Sequence, residues 1–225
     1  MHLVVPEGPC LLPEFDDCRT DCSGVQFLDN ESIYSMNVQS LCNKLHEFDN
    51  FVRETKPAVV CVCETFFAPC LQDSAVCPGG YKVFRKDRVQ KGGGVAIFTR
   101  DDLFCVSVEV KSNVQDVDIV CVDVSLGSEN LRVIACYRPP YYSVDDIRYL
   151  ENMLEIVSDL CSTISKFIIV GDFNLPHIDW DHYLASHEKC HDMFITFVNK
   201  LGLDQLITES TRSHNILDLV SGVTT

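Results

Sequence analysis

The stretch FIIVGDFNLPHIDW, residues 167–180, decides the reading of this chain. Phe167 to Val170 are apolar without interruption, as in a strand covered on both faces. Gly171 breaks the run, and Asp172 and Asn174 follow at once. A carboxylate at the tip of a buried strand either caps a turn or faces a cation. Turn capping is the commoner use, so the choice rests on what the other strands carry at their ends.

They carry polar groups in the same place. SIYSMN (32–37) reads as a short strand ending at Asn37, and AVVCVCE (58–64) as a buried strand ending at Glu64. LRVIACYRPP (131–140) brings Tyr137 to its end and is halted by Pro139 and Pro140. A fifth run, ILDLV, holds Asp218. YKVFRKDR and GGVAIFTR look like strands joined through a turn at Gly92, Gly93 and Gly94; LFCVSVEV and DVDIVCVDVSL alternate as strands do. Helical spacing appears in three places. Leu41, Leu45, Phe48 and Val52 form one face, stopped by Pro57. Val144, Ile147, Leu150, Leu154, Val157, Leu160 and Ile164 form another, opened by a capping box of Ser143 and Asp146. Phe194, Phe197, Val198 and Leu201 mark the third, with Gly202 at its C-terminal end.

Helices and strands alternate irregularly, so the chain is not a simple βαβ series. Two packed sheets with helices outside would bury both faces of the apolar strands. Strand ends on one rim of such a fold converge, and rims are where ligands bind. Hard oxygen donors there suit Mg²⁺, which takes one or two carboxylates and keeps waters.

Length and composition set the frame. The chain has 225 residues and is 46% hydrophobic, enough for one sizeable α/β domain. Residues 1–30 lack periodicity and are expected to form a poorly ordered leader, with the domain over 31–225. No apolar run approaches the roughly 20 residues that span a bilayer, and the N-terminus lacks the basic and apolar regions of a secretory signal. The expectation is a soluble intracellular protein without a membrane partner. Of 13 cysteines, Cys61, Cys63, Cys121 and Cys136 fall within core strands, as buried free thiols in a reducing compartment would. Cys18 and Cys22 lack a second ligand pair for zinc, and His187 and His191, one helical turn apart near Cys190, read as a solvated face.

The formal net charge is -15, which argues against nonspecific binding to a polyanion. The charge is uneven, however. Between Lys82 and Arg100 lie Lys82, Arg85, Lys86, Arg88, Lys91 and Arg100 against Asp87 alone. That segment is either a solvated hairpin or a phosphate-contacting edge, and the residues weigh evenly between the two.

The pieces MNVQSLCNKL, KPAVVCVCETF, GYKVFRKDRVQKGGGVAIF, VIACYRPP, IIVGDFNLPHIDW and TRSHNILDLV occur in this order over residues 32 to 222. In that order they resemble the endonuclease/exonuclease/phosphatase superfamily, which includes deoxyribonuclease I and the apurinic/apyrimidinic endonucleases. The wording is most similar to the endonuclease domain of LINE-type (non-LTR) retrotransposons. The resemblance implies a deoxyribonuclease I-like, four-layer α/β sandwich: two packed mixed β-sheets flanked by helices. It implies a Mg²⁺-dependent DNA endonuclease, with Mn²⁺ as the alternative ion, that nicks target DNA to prime reverse transcription. Glu64 matches the metal-binding glutamate, with Asn37 beside it. Tyr137 matches the tyrosine at the scissile phosphate, Asp172 the aspartate that orients or activates water, and Asn174 the asparagine that helps hold the phosphate. Asp218 matches the aspartate that orients a catalytic histidine. Arg85, Lys86, Arg88 and Arg138 make up the substrate-binding set. A reverse transcriptase is expected downstream in a full-length element, and the nucleus is implied although no targeting signal is seen.

Two departures are visible. Gln39 stands where some relatives carry a second acid, and no Asp-His pair follows LDLVSGVTT before Thr225. His177, His182, His187, His191 and His214 do not sit in the matching motif. The expectation is a C-terminally truncated domain lacking its final strand and Asp-His loop. The alternatives are a catalytically impaired retrotransposon remnant and a phosphomonoesterase of the same superfamily acting on inositol phosphates or lipids.

Overall fold

A computed structural model describes residues 21–26, 31–89, 92–112, 117–140, 144–185, 188–206 and 218–222, with backbone alone at 21–26, 144–146 and 218–222. The proposed capping box at Ser143, the leader outside 21–26, Cys18, Lys91, His187, His214 and the Asp218 side chain lie outside the described residues.

In chain order the elements are β1 (Asp21–Gln26), β2 (Ser32–Asn37), α1 (Leu45–Thr55), β3 (Val59–Cys63), β4 (Tyr81–Lys86), β5 (Val95–Arg100), β6 (Cys105–Val108), β7 (Asp118–Leu126), β8 (Glu129–Tyr137), α2 (Val144–Ser162), β9 (Phe167–Asp172), β10 (Ile178–Asp179), β11 (Leu184–Ala185), α3 (Lys189–Leu201), β12 (Asp204–Gln205) and β13 (Asp218–Gly222). One sheet has the order β1-β2-β3-β5-β4, the other β12-β13-β9-β8-β7-β6, and β10 and β11 form a small hairpin. The segment expected as a leader thus contributes Asp21–Gln26 as an edge strand antiparallel to β2.

Three apolar layers follow from period-two alternation on strands with no polar face. On β3, Val59, Cys61 and Cys63 point between the sheets, where they meet Val122, Val133, Ala135 and Val170 of the second sheet. Val60 and Val62 point the other way, onto Phe48, Phe51 and Val52 of α1. The outer face of the second sheet, with Ile134, Cys136 and Ile169, packs on Leu150, Met153 and Val157 of α2 and on Phe194, Phe197 and Val198 of α3. The layers are therefore helix, sheet, sheet, helices. The cysteines of these strands fill core volume as free thiols; burial pushes the Cys121 thiol up to about 12, which keeps it protonated and inert.

Helix α1 begins later than its apolar spacing suggests. Leu41–Asn43 form a single 3₁₀ turn, and the helix proper starts at Leu45. Its end is set one residue before Pro57, where Lys56 adopts a left-handed φ of 48° and its N–H donates to the Val52 carbonyl.

Two parallel pairings aim the strand ends in one direction. β2 runs parallel to β3 with Asn37 opposite Cys63, and β8 runs parallel to β9 with Tyr137 opposite Asp172. β13 returns antiparallel on β9 and places Asp218 opposite Asp172. All five polar strand-end positions thereby reach the same rim. At that rim Gly171 lies against the neighbouring strand so closely that a Cβ would stand 1.8 Å from the Cys136 carbonyl oxygen, at a φ of +145°. Glycine is required there. Gly171→Ala is expected to lower stability by about 3 kcal/mol or more, because the obstacle is backbone. Urea unfolding measures this, and a near-wild-type midpoint would show that β8 and β9 can separate without cost.

Candidate active site

The site is built around one amide. Asn37 is fully buried, and its Nδ2 donates to Glu64 Oε1 at 2.9 Å and to Asp172 Oδ2 at 2.8 Å. Only a nitrogen can face two carboxylates, so the orientation of the amide is forced. Its Oδ1 accepts the Gln39 backbone N–H at 3.2 Å. Asn37 therefore meets the carboxylates as a donor and spaces them. In this arrangement its nitrogen faces the two carboxylates, and its oxygen faces the Gln39 N–H.

Glu64 sits on a strained turn held from both sides. Its φ is 57°, and Phe66 follows at 54°; both are left-handed positions that side chains rarely adopt. On one side Ser40 N–H donates to the Glu64 carbonyl at 2.7 Å and Cys42 N–H to Thr65 at 3.2 Å. On the other, Thr65 and Phe66 N–H groups donate to the carbonyls of Gly94 and Gly93 at 3.3 and 3.0 Å. A Cβ on Gly94 would stand 2.7 Å from Thr65 Oγ1. The glycine run thus provides a bare backbone surface against which the Glu64 turn docks, beyond the turn conformation its sequence suggests.

Asp172 is fully buried and accepts at both oxygens, from Asn37 and, through Oδ1, from the Asn174 N–H at 2.9 Å. The Asx turn is therefore present, and it serves the site by orienting the carboxylate. Asn174 has a left-handed φ of 50°, and its Nδ2 donates to the Arg138 carbonyl at 2.7 Å. Tyr137 is nearly buried, and its phenol is pushed far above its ordinary range by burial, then by the Glu64 and Asp172 charges. It stays protonated and can only donate to an anion.

The basic set divides. Arg138 is buried, and Nη1 donates to the carbonyls of Phe173 and Asn174 at 3.1 and 3.2 Å. It buttresses the loop after β9. Arg85 pairs with Asp73 at 2.8 Å and Asp87 at 3.2 Å, donates to the Leu71 carbonyl, and lies over the Phe67 ring. Arg100 pairs with Glu31 at 2.9 Å and Asp102 at 2.7 Å. Lys82 donates to the Leu103 carbonyl. Lys86 is partly exposed on β4. Arg88 lies at the site itself, bound to Asp118 at 2.6 Å and 5.8 Å from the Tyr137 ring centroid. Counting charge along the segment missed the acids that neutralise it. Asp118 was missed as well; its only sequence signal is a carboxylate opening a strand whose next four residues are apolar.

The described histidines lie elsewhere. His182 pairs with Asp179 at the surface. His191 is fully buried, accepts the His177 N–H at Nε2, and holds Glu188 Oε2 3.1 Å from Nδ1, outside hydrogen-bond alignment. His191, expected on a solvated face, is buried instead.

The donor set can be tested against Mg²⁺. Among the described residues no three His, Cys, Asp or Glu side chains converge into a closed cage. Mg²⁺ needs none, since one or two carboxylates and water suffice. Glu64, partly exposed with one oxygen engaged by Asn37, fits that requirement.

A two-sheet sandwich with helices outside and acid, amide and phenol groups at the strand ends fits the class of hydrolases acting on phosphate esters. The chain belongs to the Endonuclease/Exonuclease/phosphatase family, whose profile matches residues 34–218. Its fold is similar to an AP endonuclease from Archaeoglobus fulgidus, with 18% identity over 84% of this chain and 85% of that one, at a TM-score of 0.62. It is also similar to the endonuclease domain of TRAS1, a telomere-specific non-LTR retrotransposon, with 18% identity over 84% and 82% of the two chains, at 0.59. A mannosyl-6-phosphatase from Bacteroides thetaiotaomicron matches at 14% identity over 86% and 85%, at 0.58.

Two outcomes are expected. Arg85→Ala is expected to cost about 1–3 kcal/mol of stability, because it strips Asp73 and Asp87 of their cation; a wild-type urea midpoint would show that these ion pairs add nothing to the fold. Burial holds His191 below its ordinary value of 6.5, although Glu188 opposes this. The folded state then binds fewer protons than the unfolded one, so stability is present above about pH 6.5 and lost as pH falls below it, by at most about 1.4 kcal/mol per unit. Urea midpoints at pH 7.5 and 5.5 should diverge more for wild type than for His191→Gln, and equal divergence would assign the loss to other groups.

Proposed function

We propose that this chain is a divalent-metal-dependent DNA endonuclease of the non-LTR retrotransposon type. It nicks one strand of target DNA and leaves a 3′-hydroxyl from which reverse transcription starts. The observation that carries the hydrolytic reading is the Asn37 amide holding Glu64 and Asp172 at fixed spacing beside Tyr137. Two carboxylates on one donor, at the end of buried strands, make an arrangement that a cation completes. The order and wording of the sequence motifs favour the retrotransposon branch.

Mg²⁺ held by Glu64 would neutralise charge on the phosphoryl and leaving oxygens. Asp172, with both oxygens oriented by N–H donors, would position the attacking water and draw on its proton. Tyr137, kept protonated, would donate to a non-bridging phosphate oxygen as negative charge develops there. Asn174 fixes Asp172 through its backbone, and its amide lies at the same rim. Arg88 supplies the positive charge beside Tyr137.

A phosphomonoester is the second reading. It is favoured by the pairing of Arg85 and Arg100 with acids, since a small ester needs the site and not a basic groove.

The test joins calorimetry with a supercoiled-plasmid nicking assay. Glu64→Gln should weaken Mg²⁺ or Mn²⁺ binding by about tenfold or more, and Asp172→Asn should reduce nicking by about 10²–10⁴-fold. Unchanged metal affinity in Glu64→Gln would remove Glu64 as the ligand. Turnover of sugar or inositol phosphates in place of DNA would move the chain to the second reading.

A further inference from the structure

Asp118 is a buried carboxylate that the mechanism above does not use. It opens β7 directly opposite Tyr137 on β8. Its Oδ2 accepts Arg88 Nε at 2.6 Å and the Gly94 N–H at 3.4 Å. Its backbone N–H donates to Tyr149 Oη at 3.1 Å, and the Tyr149 hydroxyl donates to the Tyr137 carbonyl at 3.4 Å. The carboxylate, the guanidinium and both tyrosines therefore form one connected group under the rim.

The glycine run closes this group from above. A Cβ on Gly93 would stand 2.9 Å from both Cδ and Nε of Arg88, so only a bare backbone lets the arginine lie where it does. The same backbone accepts the Phe66 N–H of the Glu64 turn. The position of Arg88 is thus tied to that of Glu64. Arg88 is nonetheless not sealed: 22% of its side chain stays exposed.

A guanidinium has five N–H donors; on Arg88, Asp118 takes at most two and Tyr149 one more, which leaves donors for an anion. Burial works against its charge, and the bond and charge of Asp118, with a contribution from Tyr149, outweigh that. An arginine already packed loses little side-chain freedom when it meets an anion, and a preorganised cation is worth more than a mobile one.

We propose that Asp118 is a positioning residue: it aims Arg88 across Tyr137, so that guanidinium and phenol together meet one phosphate of the scissile strand. Within the described part of the basic segment, Arg88 is then the cation that contributes to DNA recognition at the site. This rests on the phosphodiester reading above.

The test uses the full chain, with duplex-DNA anisotropy in Ca²⁺ across a salt series and plasmid nicking in Mg²⁺. Thermal melting checks that each variant is folded. Arg88→Ala should lower the salt slope by about 1, the value of one phosphate contact, and reduce nicking by about 10²–10³-fold. Arg88→Lys should not restore nicking, because a point charge cannot keep the flat contact with Asp118 and the ring. Asp118→Asn keeps the arginine charge; its slope should match wild type, and its kcat should fall by about tenfold or more with KM for DNA little changed. A purely structural carboxylate would lower the melting temperature without that kcat-against-KM split. Wild-type kcat in a folded Asp118→Asn, or an unchanged slope in Arg88→Ala, overturns the proposal. Asp172→Asn is run alongside: if it nicks as well as wild type, or if neither nicks, the phosphodiesterase reading fails, and the salt slope alone then decides whether Arg88 contacts phosphate.

Discussion

The bond that the site depends on is the pair of hydrogen bonds from one Asn37 amide to Glu64 and Asp172. Asn37 and Glu64 follow from the first sheet, Asp172 from the second. Two carboxylates brought to one rim repel each other, and a buried amide nitrogen satisfies an oxygen of each while fixing their separation. The contact also pins the two sheets at the rim where the polar strand ends meet. A neutral donor does this without adding a cation that would compete with a metal.

Everything around that bond serves to hold strand ends at fixed height. Parallel pairing places Asn37 beside the Glu64 turn, and Tyr137 beside Asp172. Gly171 allows β9 to approach β8 within a distance no side chain permits. Gly93 and Gly94 do the same for the Glu64 turn and for Arg88. The left-handed backbone at Gln39, Ser40, Glu64, Phe66 and Asn174 is concentrated in the loops of this rim. Such conformations persist only where surrounding hydrogen bonds over-determine them, and here the 38–42 and 63–66 segments bond to one another and to the glycine run.

Charge follows a different rule from packing. A chain with a formal net charge of -15 has acids to spare, and several turn inward on the basic segment. Arg85 and Arg100 become structural cations that tie β4 and β5 to neighbouring loops. Arg88 keeps a place at the site because its acid, Asp118, lies opposite Tyr137 on the neighbouring strand. A positive stretch along the sequence therefore does not amount to a positive surface.

The layered architecture was legible in the sequence because burial on both faces leaves a local mark. Val59–Cys63 and Phe167–Val170 are apolar throughout, the helices show their 3.6-residue stripe, and the polar residue closing each strand stands out against them. The same logic brought Asn37, Glu64, Tyr137 and Asp172 forward as one group. What only the tertiary structure decided is how those groups face one another: that Asn37 donates to two carboxylates, that Arg138 turns inward to loop carbonyls, and that Arg88 finds Asp118. Sequence pattern reports burial and periodicity, which are local properties. Hydrogen-bond direction and ion-pair partners depend on residues far apart in the chain, such as Asn37 and Asp172, and they are settled only when the two sheets pack.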